Sequence, residues 1–439
     1  MMAESFHKKA LARELRSALS KDEALAEANR CLFCYDAPCM RACPTHIDVP
    51  LFIRQIATSN PGGAARTILS ANILGASCAR VCPTEVLCEG ACVLEDQHKP
   101  IQIGPLQRFA TDHAMAVKQK ILTPGTPKAG SVGIIGAGPA GLSCAAELLK
   151  LGYQSVIYEA AERPGGLNTY GVAQYKMTPR VSIEEVRWLE RAGLVLRCNV
   201  TVGRDISVAA LRAHHHALFV GVGMGKIPPL GIAGEELGGV YDALDLIEDL
   251  KYGRRPRGLG RDLPGARVVV IGGGNTSIDA VTQALRAGAS EALLLYRRGP
   301  AELPAYAHEV ELLQHHGGRV LFYHQAQAVL GEDGRVSGLR VRRGEGAVGG
   351  AGEGVIPCDV VVRATGQKGA NLLDELGIES QRGIVKVDAW GRTSDPGIWA
   401  GGDCVSGGRE VVNAVEDGKR AAQSIAREVL GAVAPQQGA

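Results

Sequence analysis

Apolar and polar positions along the 439-residue chain fall into successive regimes. Between residues 5 and 29 leucines recur at helical spacing. Leu11, Leu15, Leu19 and Leu25 lie roughly on one face with charges opposite, which predicts an amphipathic helix. Cysteine-bearing loops follow, bracketed by two further predicted helices, PTHIDVPLFIRQI after Cys43 and AARTILSANIL at 64–74. The LTPGTPKAG stretch at 122–130 carries the prolines and glycines of a linker and marks a predicted boundary. From 131 the pattern becomes strand, glycine turn, helix, strand, the opening of a doubly wound α/β domain. A second such opening is RVVVIGGGNTSIDA at 267–280. From 355 an apolar strand (CDVVVRATG), a glycine turn (WAGGDC) and a closing helix (VVNAVEDGKRAAQSIAREV) are predicted to return to the first α/β domain.

Composition narrows the reading. Single hydrophobic cores stop growing near ~250–300 residues, so this chain at 46% hydrophobic content is expected to hold two or three. Its 48 basic and 46 acidic residues nearly cancel, which removes bulk charge as an argument for nucleic acid or an anionic membrane. With 57 glycines the chain is suited to tight turns and close backbone approach to small anionic cofactors. The first thirty residues have no apolar core of the about 7–15 residues a secretory signal needs, and no apolar run reaches the ~18 of a membrane span. A cytoplasmic protein is expected, where clustered thiols bind metal more often than they form disulfides. Eight of the twelve cysteines lie between Cys31 and Cys92.

Their spacing carries chemistry. Cys31, Cys34, Cys39 and Cys43-Pro44 follow a ferredoxin-like run, in which the fourth thiol serves a different cluster from the first three. Cys78, Cys82-Pro83, Cys88 and Cys92 supply the partners, so two 4Fe-4S clusters are expected. A pair of tetrahedral zinc sites would show paired C-x2-C knuckles, and only one is present. Spacing alone admits all eight cysteines as ligands.

Two dinucleotide fingerprints follow. In the first, Gly136 makes the tight turn and Gly138 lets the backbone approach a pyrophosphate. Pro139 and Ala140 open the helix, and Gly141 packs it on the strand. Glu159 ends the next strand and is placed to accept from a ribose diol. Gly166 and Leu167 follow in an RPGGL loop of the kind seen in two-dinucleotide flavoproteins, so FAD is expected. Gly402 and Asp403 are read as flavin contacts, with the helix near Val412 pointing its positive end at the flavin ring. The second fingerprint, Gly272, Gly273, Gly274, Asn275, Thr276 and Ser277, has serine in the third glycine place. Arg297 and Arg298 after its second strand can hold a 2′-phosphate, whereas nearby Glu302 suits NADH, so NADH or NADPH is expected there. The run His214–His216 reads as a solvated helix end, and Trp188, Trp390 and Trp399 as core.

The segments CLFCYDAPCMRACPTHID, NILGASCARVCPTEVLCEGAC, KPIQIGPLQRFATDH, GAGPAGLS, ERPGGLNTYG and GGGNTSID resemble the electron-input subunits of bacterial dihydropyrimidine dehydrogenases, the PreT type. More distantly they resemble the small subunit of glutamate synthase. The resemblance covers about residues 20–425. It implies one cluster on Cys31, Cys34, Cys39 and Cys92, and another on Cys43, Cys82, Cys88 and the amide oxygen of Gln107, with Cys78 a bystander. It further implies flavin contacts from Lys176 and the backbone near Val202. It also implies that electrons leave for a partner subunit holding FMN in a (β/α)8 barrel, a domain this sequence lacks, where uracil or thymine is reduced to the 5,6-dihydro form.

The expected architecture is an α-helical N-terminal iron-sulfur domain followed by two α/β Rossmann-like dinucleotide-binding domains, one inserted in the other. The expected bounds are 1–125 for the helical domain, 126–229 and 353–439 for the FAD domain, and 230–352 for the NAD(P)H domain. Competing readings are the glutamate synthase small subunit, a stand-alone diaphorase using ferredoxin, and a zinc-bearing assembly module.

Overall fold

The computed structural model describes residues 14–97, 99–254, 256, 263–370 and 372–432. Two compact units emerge. The first is built from Arg16–Thr169, Arg180–Gly225 and the chain from Gly369; the second from Tyr170–Pro179 and Lys226–Lys368, joined by the described residues before Arg16.

The first unit begins with a short helix, Lys21–Ala28, started by a capping box. Ser20 Oγ accepts from Glu23 N while the Glu23 carboxylate accepts from Ser20 N. That cap stops the helix on its N-terminal side. Residues 14–20 are not helical, so among the described residues the helix predicted over 5–29 is confined to eight residues, which bury Ala24, Glu27 and Ala28 rather than a leucine stripe. The part of that prediction at 5–13, with Leu11, lies outside the described residues. Helices Val49–Ala57, Pro61–Ala71, Gly75–Val81 and Ile103–Ala116 follow. Asp48 and Asn60 cap the first two, each with proline in the opening turn where no amide donor is needed. Phe52, Ile53, Ile56, Ile68, Leu69 and Leu106 fill the core between them. Each such side chain contributes about 1.5–3 kcal/mol of burial. The cysteine loops hang from this scaffold.

Strands β1 (Ser131–Ile135), β2 (Gln154–Tyr158), β3 (Val195–Arg197) and β4 (Ala217–Val220) come next. In the second unit β5 (Val240–Asp242), β6 (Arg267–Gly272), β7 (Glu291–Leu295) and β8 (Arg319–Leu321) are followed by β9 (His324–Glu332), β10 (Arg335–Arg343), β11 (Gly352–Pro357) and β12 (Val360–Ala364). The chain ends with a small ribbon, β13 (Ser380–Gln381) and β14 (Ile384–Val385), then β15 (Ile398–Ala400) and the helix Val411–Glu428. The first unit holds the parallel sheet β15-β4-β1-β2-β3 and the second the parallel sheet β5-β12-β6-β7-β8. The second also carries an antiparallel sheet, β11-β10-β9. Each parallel sheet reverses its strand order once, between β1 and β4 and between β6 and β12. Ligands of such sheets bind outside the carboxyl ends at that reversal.

One expectation fails here. The strand in CDVVVRATG, read as the return to the first α/β domain, is β12, paired with β6 and β5 in the second unit. A strand buried on both faces is a continuous apolar run and carries no mark of the sheet it joins. The glycine-rich segment before it turns the β10–β11 hairpin, and the second unit runs on to Lys368 rather than ending at 352. Trp188 and Trp399 are buried as expected, but Trp390 is 37% exposed, with the Arg427 guanidinium 4.9 Å from its ring centroid. No helix among the described residues is long and apolar enough to cross a membrane.

Candidate functional site

Eight thiols wall two cavities. Cys31, Cys34, Cys39 and Cys92 line one, with Leu32, Ile53 and Val93. Cys43, Cys78, Cys82 and Cys88 line the other, with Gln107 and Val412. Phe33 is left-handed (φ 51°), which turns the chain between Cys31 and Cys34 so that both thiols face one cavity. Cys43 and Cys82 each terminate a short helix, Pro38–Ala42 and Gly75–Val81.

Burial and neighbouring thiols push Cys31 upward and Cys39 to about 12. A hydrogen bond with Cys78, then burial, raises Cys82 well above the usual thiol range, and burial does the same to Cys88. Protein alone does not hold such thiols as thiolates; a bound iron cation does, inverting the local charge logic. Among the described residues no three candidate ligands close around one point as a mononuclear ion requires, whereas the thiols surround cavities, as a polynuclear group needs. The donor set fits iron-sulfur.

Both candidates for the eighth ligand face the second cavity. Gln107 is buried, and its Nε2 donates to Gly75 O at 2.8 Å, so its amide plane is held from one end. Asn72 Nδ2 donates to Cys78 Sγ at 3.2 Å.

The first fingerprint sits at the reversal between β1 and β4. Gly136 has φ 100°, and a Cβ there would lie 2.5 Å from Gly221 O, so this turn admits only glycine. Gly138 precedes the helix Pro139–Lys150; a Cβ there would make only an ordinary 3.9 Å contact with Gly221 O, and the amides that follow this turn suit a pyrophosphate. A Cβ on Gly141 would lie 2.0 Å from Gly136 O, and the Ala140 turn packs against Gly418, where a Cβ would lie 2.1 Å from Ala140 O. Glu159 accepts from Ala137 N and Ala161 N, both at 2.7 Å, so it shapes the fingerprint turn as well as facing the site. Gly166 (φ 55°) brings the RPGGL loop against Gly138, Leu167 is 38% exposed, and Gly165 N donates to Ala137 O. Gly402 (φ 77°) follows β15, its amide held by Asp417 Oδ2 at 3.0 Å, and burial raises the Asp403 carboxyl. Val202 is buried in the same unit.

Lys176, for which the resemblance implies a flavin contact, has two carboxylate partners. It belongs to the second unit, where its Nζ lies 2.9 Å from Asp279 and 2.6 Å from Glu309, beside a Tyr175 hydroxyl that donates to Asp279. Desolvation opposes its charge, but these two carboxylates outweigh it and raise its pKa. Residues that sequence reasoning missed are Gly221, Asp417 and Gly418. The pattern ALFVGVG, an apolar strand running into glycines, was the available sign for the first.

The second fingerprint sits at the reversal between β6 and β12. A Cβ on Gly272 would meet Ala364 O at 2.4 Å, while Gly274, capping the helix Asn275–Arg286, has nothing within 4 Å. Ser277 is buried and its Oγ donates to Gly274 O at 2.5 Å, so the serine closes the turn that a third glycine would leave open. Asn275 Oδ1 accepts from Tyr306 N, and Thr276 lies in the same first helical turn. Arg297 and Arg298 are both exposed at the end of β7, but Arg298 pairs with Glu302 at 3.6 Å and lies over Tyr296, while Arg297 has no ion-pair partner among the described residues.

Comparison with known proteins agrees with this geometry. Residues 8–119 match the family described as dihydropyrimidine dehydrogenase domain II, 4Fe-4S cluster, and residues 130–418 match the pyridine nucleotide-disulphide oxidoreductases. A Salmonella typhi homologue of the PreT subunit of NAD-dependent dihydropyrimidine dehydrogenase is 37% identical over 92% of this chain and 93% of its own. The NADPH glutamate synthase small chain of Halomonas elongata is 35% identical over 94% of this chain and 92% of its own. Mycobacterium tuberculosis FprA, solved in complex with NADPH, superposes with a TM-score of 0.55 over 69% of this chain and 86% of its own at 20% identity, a likeness of fold. This chain is an NAD(P)H-dependent oxidoreductase carrying FAD and 4Fe-4S iron-sulfur. It belongs to the pyridine nucleotide-disulphide oxidoreductases, in the family that includes the PreT subunits of dihydropyrimidine dehydrogenase and the glutamate synthase small chains.

Proposed function

We propose that the chain is the electron-input subunit of a cytoplasmic dihydropyrimidine dehydrogenase. It passes electrons from NADH or NADPH through FAD and two 4Fe-4S clusters to an FMN-containing partner subunit with a (β/α)8 barrel, which reduces uracil or thymine. When bound, the flavin accepts a hydride and releases single electrons, which the clusters conduct. In this reading Gly136, Gly138, Pro139, Ala140, Gly141, Glu159, Gly166, Leu167, Gly402 and Asp403 cradle FAD, with Val202 nearby. Gly272, Gly274, Asn275, Thr276 and Arg297 hold the nicotinamide nucleotide. The FAD domain takes 126–225 and 369–439, the nucleotide domain 226–368, and the helical domain 1–125.

One observation carries the electron path. Val412 belongs both to the wall of the second thiol cavity and to the first turn of the helix that follows Gly402 and Asp403. This supports a second cavity on the flavin side and a first that opens outward, where Leu32 and Val93 in its wall are 61% and 41% exposed. Hydride transfer requires orientation more than proton transfer, so the residues' work is to hold two rings in register.

Affinity capture of the chain from its native cells, with nicotinamide nucleotide oxidation measured on adding uracil or thymine, tests the reading. Pyrimidine-driven oxidation with a co-purifying FMN subunit is expected. Oxidation that instead requires glutamine and 2-oxoglutarate replaces it with the glutamate synthase small-chain function, the reading favoured by the 35% identity to that chain.

A further inference from the structure

We infer that Glu185 is a positioning residue for the second cluster, holding the first turn of the helix that carries Cys78 and ends at Cys82 and tying it to the flavin loop. This rests on the iron-sulfur and flavin reading above and names a residue to which that reading gives no role.

Glu185 is 1% exposed on the helix Pro179–Ala192. Its carboxylate accepts from Ala76 N at 2.8 Å, from Ser77 N at 3.3 Å and from Ser77 Oγ at 2.5 Å. The helix Gly75–Val81 has Leu74 at its N-cap position and no side-chain cap of its own, so its opening amides are satisfied from a helix more than a hundred residues away in sequence. Burying a carboxylate is costly even with the Arg80 charge nearby, and a plain capping serine within the loop would serve the helix alone.

The same turn orients a candidate ligand. Gly75 O accepts from Gln107 Nε2, which leaves the other end of that amide for the cavity lined by Cys43, Cys78, Cys82 and Cys88. Ala76 is held on both sides, its amide by Glu185 and its carbonyl by Arg80 Nη1 at 3.1 Å. Asp112 then fixes Arg80 through two contacts of 2.8 and 2.9 Å. Movement of the turn would carry Gly75, Cys78 and the Gln107 amide together.

The other end of the device is the flavin loop. Ser182 lies three residues before Glu185, a rise of about 4.5 Å on one helix face. Its Oγ meets Thr169 Oγ1 at 2.8 Å, and Thr169 Oγ1 donates to Pro164 O at 2.7 Å. Gly165 packs so closely on this pair that a Cβ would lie 2.1 Å from Thr169 Oγ1 and 2.5 Å from Ser182 Oγ. One rigid helix thus grips the RPGGL loop with Ser182 and the cluster-bearing helix with Glu185.

The test uses the full chain with its cofactors, purified without oxygen as wild type, Glu185→Gln, Glu185→Ala and, as an exposed control on the same helix, Arg187→Ala. Electron paramagnetic resonance of the reduced protein, iron content and the midpoint potential of each signal are measured in mildly alkaline buffer. The signals are assigned with Cys34→Ser and Cys88→Ser. Glu185→Ala is expected to lose the signal that Cys88→Ser loses and about half the iron, the share of one of two 4Fe-4S clusters. Glu185→Gln is expected to keep both signals, with the second cluster's potential raised because a nearby negative charge is gone, and the first unmoved. Arg187→Ala matches wild type. Wild-type signals and potentials in both Glu185 variants overturn the inference, as does an equal disturbance of the two signals. If Glu185→Ala does not fold, an unmoved second potential in Glu185→Gln overturns it. Iron-free wild-type protein sinks the proposed function and this inference with it, a failure told apart because it appears without any substitution.

Discussion

The two parallel sheets share a topology and a reversal point yet close their fingerprints by different means. In the first, glycine is required by backbone contact: the Gly141 position lies against Gly136 O, and Glu159 ties down two amides of the turn. In the second, Ser277 occupies the corresponding place and its hydroxyl bonds back to Gly274 O. After the second strand the first sheet presents a carboxylate and the second presents guanidiniums. The common fold places a dinucleotide at the strand ends, and the side chains beyond them choose which one.

Five substitutions bear on this difference, in falling order of effect. Gly141→Val forces a side chain into backbone and should cost about 3 kcal/mol or more, with loss of bound flavin, read by denaturation and by visible absorbance. Retained flavin would show the first fingerprint to be as tolerant as the second. Glu159→Ala strips the caps from Ala137 N and Ala161 N, for about 1–3 kcal/mol and weaker flavin retention measured by dialysis. Arg297→Ala should weaken NADPH about tenfold relative to NADH, as expected for one charge-assisted contact of about 1.5 kcal/mol. Arg298→Ala should do less, since Glu302 already engages that guanidinium; steady-state KM values for both nucleotides decide, and equal effects on both nucleotides remove the arginines from the phosphate site. Ser277→Ala should cost under about 1.5 kcal/mol and leave nucleotide affinity unchanged by titration. A large loss there would mean that serine is as obligatory as glycine.

Much of this was readable from spacing. The glycine fingerprints, the sheet openings and the grouping of Cys31, Cys34 and Cys39 are local patterns, each set by a turn of a few residues. What escaped depends on distant chain. Cys92 joins the first three thiols, and Gln107 faces the second group, only because Pro61–Ala71 and Gly75–Val81 pack on Ile103–Ala116; the resemblance, not spacing, pointed to both. The boundary near 352 was misplaced because a fully buried strand reads alike in either sheet. Nothing local to Lys176 announces its two carboxylate partners, which lie more than a hundred residues downstream. Glu185 gave no sign at all, being one glutamate in an otherwise ordinary amphipathic helix.

The packing of Gly418 against the Ala140 turn has a consequence for how the protein is made. The flavin-side helix beginning near residue 139 rests on one that the ribosome delivers almost three hundred residues later, with Ser143 Oγ bonded to Val415 O. Domains fold as units while synthesis proceeds from the N-terminus. A nascent chain can therefore complete its second sheet while the first sheet still lacks β15 and its covering helix. The first thiol cavity, lined by residues 31–103, is likewise available early, whereas the second cavity lacks its Val412 wall, and the flavin its finished seat, until β15 and that helix have been made.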